Sequence, residues 1–146
     1  MKSKLIHDGD EKTFAIVFDT GDEVVANLLA FAKEQKLAAS HFAGIGACER
    51  VTFGFFELGS RDYKKIQINE QVEVMSLIGN ICLEESGEPK VHAHIVIGKP
   101  DGTAHGGHLL GAHVRPTLEV FLVESSKPLR RKMNAEVGLA LIDLTK

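Results

Sequence analysis

VHAHIVIGKPDGTAHGGHLLGAH, residues 91–113, is the stretch on which the fold and the chemistry of this chain turn. It holds five of the seven histidines: His92, His94, His105, His108 and His113. Side chains of an extended strand alternate between its faces, so His92 and His94 share one face, about 7 Å apart along the chain. Val91, Ala93, Ile95 and Ile97 then form an unbroken apolar set on the other face, which has to be turned toward a core.

Whether His108 joins that pair depends on the turn, because a register shift of one residue reverses the face of every side chain. Pro100, Asp101 and Gly102 suit the three positions of a hairpin loop that ends in a glycine bulge: a fixed φ, a turn-forming carboxylate and a left-handed residue. Lys99 then pairs with Thr103, and His94 lies opposite His108 with His92 two residues along on the same face. A two-residue turn at Asp101-Gly102 would pair Pro100 with Thr103 and send His108 to the wrong face.

Neutral imidazole is the commonest protein ligand for zinc and related divalent ions, and three converging nitrogens leave a tetrahedral ion one open position. His92, His94 and His108 are therefore the expected metal ligands and zinc the expected ion. An HxH pair alone fits a solvated face or a hydrogen-bonded subunit contact better than a metal site; the third histidine on that face shifts the reading to metal. Gly106 and Gly107 are expected to let the backbone bend and aim His108. His105 and His113 are expected on the opposite face if the ladder stays regular, in structural or supporting roles, while His7 and His41 stand alone. Glu119 interrupts an apolar strand: it either sits at a surface edge, or pairs with Arg115, or serves as a fourth ligand or general base.

Outward from this hairpin, residues 13–18 (TFAIVF) form a strand that stops at Asp19-Thr20-Gly21-Asp22. A helix follows, with Thr20 and Glu23 in capping-box spacing and Val24, Val25, Leu28, Leu29, Phe31 and Ala32 recurring at helical period up to Lys33 and Lys36. Residues 40–57 are apolar, aromatic and interrupted by glycine, which predicts two strands. Residues 63–69, 71–83, 91–99, 103–112, 117–124 and 137–144 complete the strand set. The fold class is α+β, an antiparallel β-sheet with one main flanking helix, and residues 1–146 form a single domain.

Composition is that of a folded globular chain, with 44% hydrophobic and 25% charged residues in 146. Seventeen Lys and Arg against 20 Asp and Glu give a net charge of -3, so no overall field draws nucleic acid or anionic membrane. KPLRRK, residues 127–132, is the one basic cluster and reads as a solvated loop. Cys48 and Cys82 lie far apart without a CxxC partner, and no signal core or membrane span is visible, so a cytoplasmic location is expected. There is no GxGxxG, P-loop or GxSxG pattern, and Cys48 reads as a packed residue.

Three stretches taken together, GIGACERVTFGFFE at 44–57, VHAHIVIGKPDGTAHGGHLLGAHV at 91–114 and RPTLEVFLVE at 115–124, resemble the plants-and-prokaryotes-conserved (PPC) domain, in its prokaryotic single-domain form. The resemblance implies an antiparallel sheet with a flanking helix, a homotrimer, and a metal held at His92, His94 and His108. Plant members join the domain to an Arg-Gly-Arg-Pro AT-hook that reads the minor groove; this chain has no such segment. No reaction comes with the resemblance. Two functions follow: a trimeric metal-binding protein with a small-molecule ligand or metal-assisted chemistry, or a DNA-associated regulator acting through its oligomeric surface and residues 127–132. Net charge and the acidic run Glu84-Glu85-Ser86-Gly87-Glu88 favour the first, and duplex DNA is not an expected partner of the isolated protein.

Overall fold

A computed structural model describes residues 1–145. Nine strands and one helix run in the order β1 (Lys2–Asp8), β2 (Lys12–Asp19), α1 (Val24–Gln35), β3 (Ala39–Glu57), β4 (Asp62–Ile68), β5 (Val72–Leu83), β6 (Pro89–Gly98), β7 (Ala104–Glu124), β8 (Arg130–Asn134) and β9 (Leu139–Asp143). All nine belong to one sheet, in the order β1-β2-β7-β3-β5-β8-β9, with β4 on β3 and β6 joined to both β5 and β7. Because β3 pairs with β5 and β7, and β6 pairs with the same two, these four strands close on themselves. The pairing is antiparallel except at a single parallel bridge, Leu83 to Arg130.

The helix covers one face of this sheet. Val24, Leu28, Phe31 and Ala32 are its buried residues, at the spacing that puts them on one side of a helix. They pack into a core with Phe14, Ile16, Phe18, Leu118, Val120 and Leu122, and the rings of Phe14 and Phe31 meet edge-on at 5.2 Å. The capping box at Thr20 is not formed. Glu23 is itself the N-cap: one carboxylate oxygen accepts from the Ala26 amide at 2.6 Å and the other from Ala112 N on β7 at 3.0 Å, while the Thr20 hydroxyl donates to Pro116 O. Lys36 closes the helix in the left-handed conformation at φ 57°.

Several strand expectations change. Residues 40–57 form one continuous strand rather than two, because the glycines mark shifts in the ladder, as at Gly44/Gly46, and not breaks. Residues 103–112 and 117–124 likewise fuse into β7, 21 residues long. Two strands lie where none was expected: the fully exposed edge strand β1, and β8, which takes up part of the supposed basic loop.

The hairpin forms in the expected register. Lys99 and Thr103 close a loop with Gly102 at φ 82°, Lys99 N donating to Thr103 O at 2.9 Å, and His94 lies opposite His108. Ile95 and Ile97 are buried, which leaves His92 and His94 on the outer face.

Candidate metal centre

His92, His94 and His108 come together on that outer face. Their ring centroids are 5.3 Å apart for His92 and His94, 5.1 Å for His92 and His108, and 5.5 Å for His94 and His108. One nitrogen from each lies within 4.8 Å of the other two, and among the described residues no other three His, Cys, Asp or Glu side chains converge in this way. Nitrogens bound to one tetrahedral ion at 2.0–2.1 Å stand roughly 3.3 Å apart, so modest imidazole rotations close the set without moving the backbone.

The surroundings fit a cation. His108 Nδ1 is buried and has no hydrogen-bond partner among the described residues, a state that costs about 1–3 kcal/mol and that a ligand or ion would relieve. Burial, with His92, His94 and Lys90 nearby, pushes the His108 pKa down to about 4. Burial, Arg131 and His94 also lower that of His92. Both imidazoles are thus held neutral near pH 7, with lone pairs free to coordinate.

Packing positions the third ligand. The Tyr63 ring stacks on His108 at 4.6 Å and 22°, and it has room because Gly54, opposite His108 on β3, lacks the Cβ that would lie 2.7 Å from Tyr63 Cδ1. Gly106 and Gly107 do not bend the strand; they admit close neighbours. A Cβ at Gly106 would meet Ile95 O at 2.5 Å, and one at Gly107 would meet Gly54 O at 2.7 Å.

The other candidates lie elsewhere. His105 is exposed opposite Ile97 and makes a 3.4 Å contact with the Thr103 hydroxyl. The regular ladder assumed for His113 fails. Leu110 is an extra residue in β7 between the pairs Phe53/Leu109 and Thr52/Gly111, so His113 returns to the outer face, far along the strand opposite Arg50. Glu119 is exposed between Val17 and Ile45, outside the triad, and Arg115 pairs with Glu49 at 3.5 Å instead. His41 shares the outer face with the triad: it pairs with Asn80, which in turn pairs with His92. Cys48 is buried as expected, its thiol pushed up to about 12 by burial and by Glu23.

Sequence reasoning missed Arg131. Within the KPLRRK run it alone is buried, at 7% exposure, while Lys127, Arg130 and Lys132 face solvent. Its guanidinium donates to Ala140 O at 2.9 Å and to Asn80 Oδ1 at 2.6 Å, and Nη2 approaches His92 Nδ1 at 3.4 Å. Alternation along a strand would have turned one cation of the run inward, but nothing local marked residues 130–134 as a strand. Arg131, His92, His108 and Tyr63 border a cleft of about 370 Å³.

Known proteins share this architecture. A metal-containing protein of Archaeoglobus fulgidus is 32% identical with a TM-score of 0.83, covering 90% of this chain and 92% of that one. A plant- and prokaryote-conserved (PPC) protein of Pyrococcus horikoshii is 32% identical with a TM-score of 0.84, covering 99% and 96%. A candidate DNA-binding protein of Bacteroides thetaiotaomicron is 29% identical with a TM-score of 0.88, covering 99% of both chains. The chain is also 25% identical over 119 residues to the Bifunctional protein GlmU of Synechococcus sp. (strain JA-3-3Ab), a match over 80% of this chain and only 18% of that protein. No helix of the described residues is long and apolar enough to cross a membrane. With its sequence matching the family's pattern over residues 7–126, and with the sheet, helix and hairpin just described, the chain belongs to the Plants and Prokaryotes Conserved (PCC) domain family.

Proposed function

We propose that this protein binds one divalent metal ion per chain at His92, His94 and His108, and that the ion is zinc. The observation that carries this reading is the convergence of three imidazole nitrogens within 4.8 Å on one face of the β6–β7 hairpin. The partnerless His108 Nδ1 and the metal-containing relative from Archaeoglobus fulgidus support it. Zinc is preferred because the donor set is all imidazole, which suits zinc better than calcium or magnesium. When bound, such an ion supplies a Lewis acid with one open position for water or a small ligand. The chain's own part is to hold the rings: Tyr63 stacks on His108, and Arg131, held by Asn80 of β5, stands against His92.

The protein works as a homotrimer in the cytoplasm on this reading. The family resemblance supplies the number three, and the outer face supplies a reason for assembly. Phe121, Ala43, Ile78 and His94 follow one another across the paired strands, with Ile45 and Val17 flanking Glu119 in the next row. Phe121 and Ile78 are 58% and 56% exposed, and an apolar patch of this kind on a soluble chain marks a contact surface. The metal site would then lie beside the subunit contact.

Elemental analysis of the purified protein tests the metal. About one zinc per chain is expected in wild type, with loss in His94→Ala and retention in His105→Ala. Unaltered metal content in single alanine variants of all three ligands would overturn the reading.

A DNA-associated role is the second reading, favoured by the candidate DNA-binding relative. Against it stand the net charge of -3 and the burial of Arg131, which leaves three exposed cations in the KPLRRK run. A titration with mixed-sequence duplex DNA across a salt series separates the two, since phosphate-driven binding fades steeply toward ~0.15 M salt. Submicromolar, sequence-dependent binding at that salt would promote the second reading.

A further inference from the structure

Arg131 is a buried cation, 7% exposed, for which the described residues show no ion pair. Nη1 and Nη2 donate to Ala140 O and Asn80 Oδ1, but the buried Nε has no hydrogen-bond partner among the described residues. Burial of a guanidinium in this state is costly unless something supplies an acceptor and a negative charge.

The triad sharpens that need. A guanidinium donates and never accepts, so in the 3.4 Å contact between Nη2 and His92 Nδ1 the imidazole is the acceptor. An ion held by His92 either takes that lone pair or fixes the proton on Nδ1. In both cases Nη2 would keep Asn80 Oδ1 but lose its weaker partner, and Arg131 would stand beside a dication with Nε still unpartnered. A carboxylate accepts charge-assisted hydrogen bonds from a guanidinium and brings the missing charge.

The cleft in front of these groups measures about 370 Å³, and Met133, Leu139 and Leu141 form its apolar side. Glu84, the acidic residue of its lining, is tied to Lys90 at 3.3 Å. An apolar wall next to a buried cation short of an acceptor describes an organic acid with a hydrocarbon body.

We propose that this cleft binds a small monocarboxylate with an apolar body, its carboxylate on Arg131 and its hydrocarbon part against Met133, Leu139 and Leu141. The expected preference for metal-loaded protein rests on the reading above; the Arg131 contact itself does not require the ion.

Isothermal titration with 3-methylbutanoate, its neutral isostere 3-methylbutanamide and inorganic phosphate tests the proposal, on EDTA-stripped and zinc-loaded protein. The acid should bind at least tenfold more tightly than the amide, and more tightly in the loaded form. Arg131→Gln should weaken the acid at least tenfold and leave the amide unchanged. Equal binding of acid and amide, acid binding indifferent to Arg131→Gln, or binding of phosphate without the acid would each overturn it. A purely structural Arg131, tying β5 to β9, would lower the melting temperature of the variant while leaving the ratio of acid to amide affinity unaltered. Should Arg131→Gln fail to fold, the Arg131 ¹⁵Nε–¹H resonance of the wild type serves instead: it should move on adding the acid and not the amide, and a stationary resonance overturns the proposal. Elemental analysis of the same samples separates the two ideas. Arg131-dependent acid binding without retained zinc defeats the metal reading alone, and retained zinc without Arg131-dependent binding defeats this one alone.

Discussion

Gly107→Ala probes how the third histidine is held. Gly107 precedes His108 and pairs with Ile95, and an added Cβ would stand 2.7 Å from the Gly54 carbonyl oxygen and 3.1 Å from Phe53 Cδ2. Ordinary van der Waals contact starts near 3.4 Å, so β3 and β7 must part locally by about 0.7 Å. Neither neighbour yields easily: one is backbone, and the other belongs to a phenylalanine that is 2% exposed in the core. Overpacking of this kind costs about 1–3 kcal/mol, and in a chain of this size each kcal/mol lowers Tm by roughly 2–4 °C, so a fall of about 2–12 °C is expected.

The imidazole of His108 moves with its backbone. Metal sites tolerate bond-length errors of about 0.2 Å, so a displacement of about 0.7 Å should also reduce zinc retention. Two other glycines calibrate the experiment. Gly59→Ala meets nothing within 4 Å and should melt with wild type. Gly54→Ala presses on the Tyr63 ring at 2.7 Å and on its Cβ at 3.1 Å, so the stack on His108, about 0.5–1.5 kcal/mol, is lost together with some close packing against β4. Scanning calorimetry with elemental analysis reads all three. A Gly107→Ala protein that melts with wild type and keeps its zinc would refute the close-approach account of this hairpin.

Three further outcomes are expected. In metal-free protein, stability should fall as pH drops from about 6.5 toward 4, because the His108 pKa is lowered to about 4 in the fold and the unfolded chain binds more protons across that window; urea midpoints should show this slope, and a slope unchanged in His108→Asn would count against it. Glu23→Ala removes the N-cap and strands the Ala112 amide, at a cost of about 2–3 kcal/mol, whereas Glu23→Gln should recover most of it; equal denaturation midpoints for the two variants would contradict that double role. Phe121→Asp with Ile78→Asp should leave a folded chain that runs as a monomer in light scattering if the outer face is the contact between copies, and an unchanged oligomer would place that contact elsewhere.

What could be read from the chain without its structure follows from the range of the forces involved. The His92, His94 and His108 face was legible because alternation is a property of neighbouring residues, and because Pro100, Asp101 and Gly102 specify a loop that carries register across only five residues. His113 was misplaced by the same rule, since Leu110 has nothing in its own neighbourhood to make it a bulge; the extra residue appears only where β7 must follow β3. The helix start was misread by three residues because Thr20 and Glu23 both have side chains suited to capping, and the choice falls to Glu23 through its bond to Ala112, 89 residues away.

Arg131 shows the limit most clearly. Among Lys127, Arg130, Arg131 and Lys132 the side-chain chemistry is nearly uniform, and a solvated loop would treat all four alike. β8 distinguishes them by alternation, the rule that paired His92 with His94. That rule applies only once Arg130 to Asn134 is known to be extended, and the extension is held by partners remote in sequence: β9 alongside and the bridge from Leu83. The buried cation beside the triad is therefore selected by long-range pairing acting on a run that local physics leaves degenerate. Substituting Arg130 or Lys132 by glutamine should accordingly leave carboxylate binding intact, while the same change at Arg131 removes it.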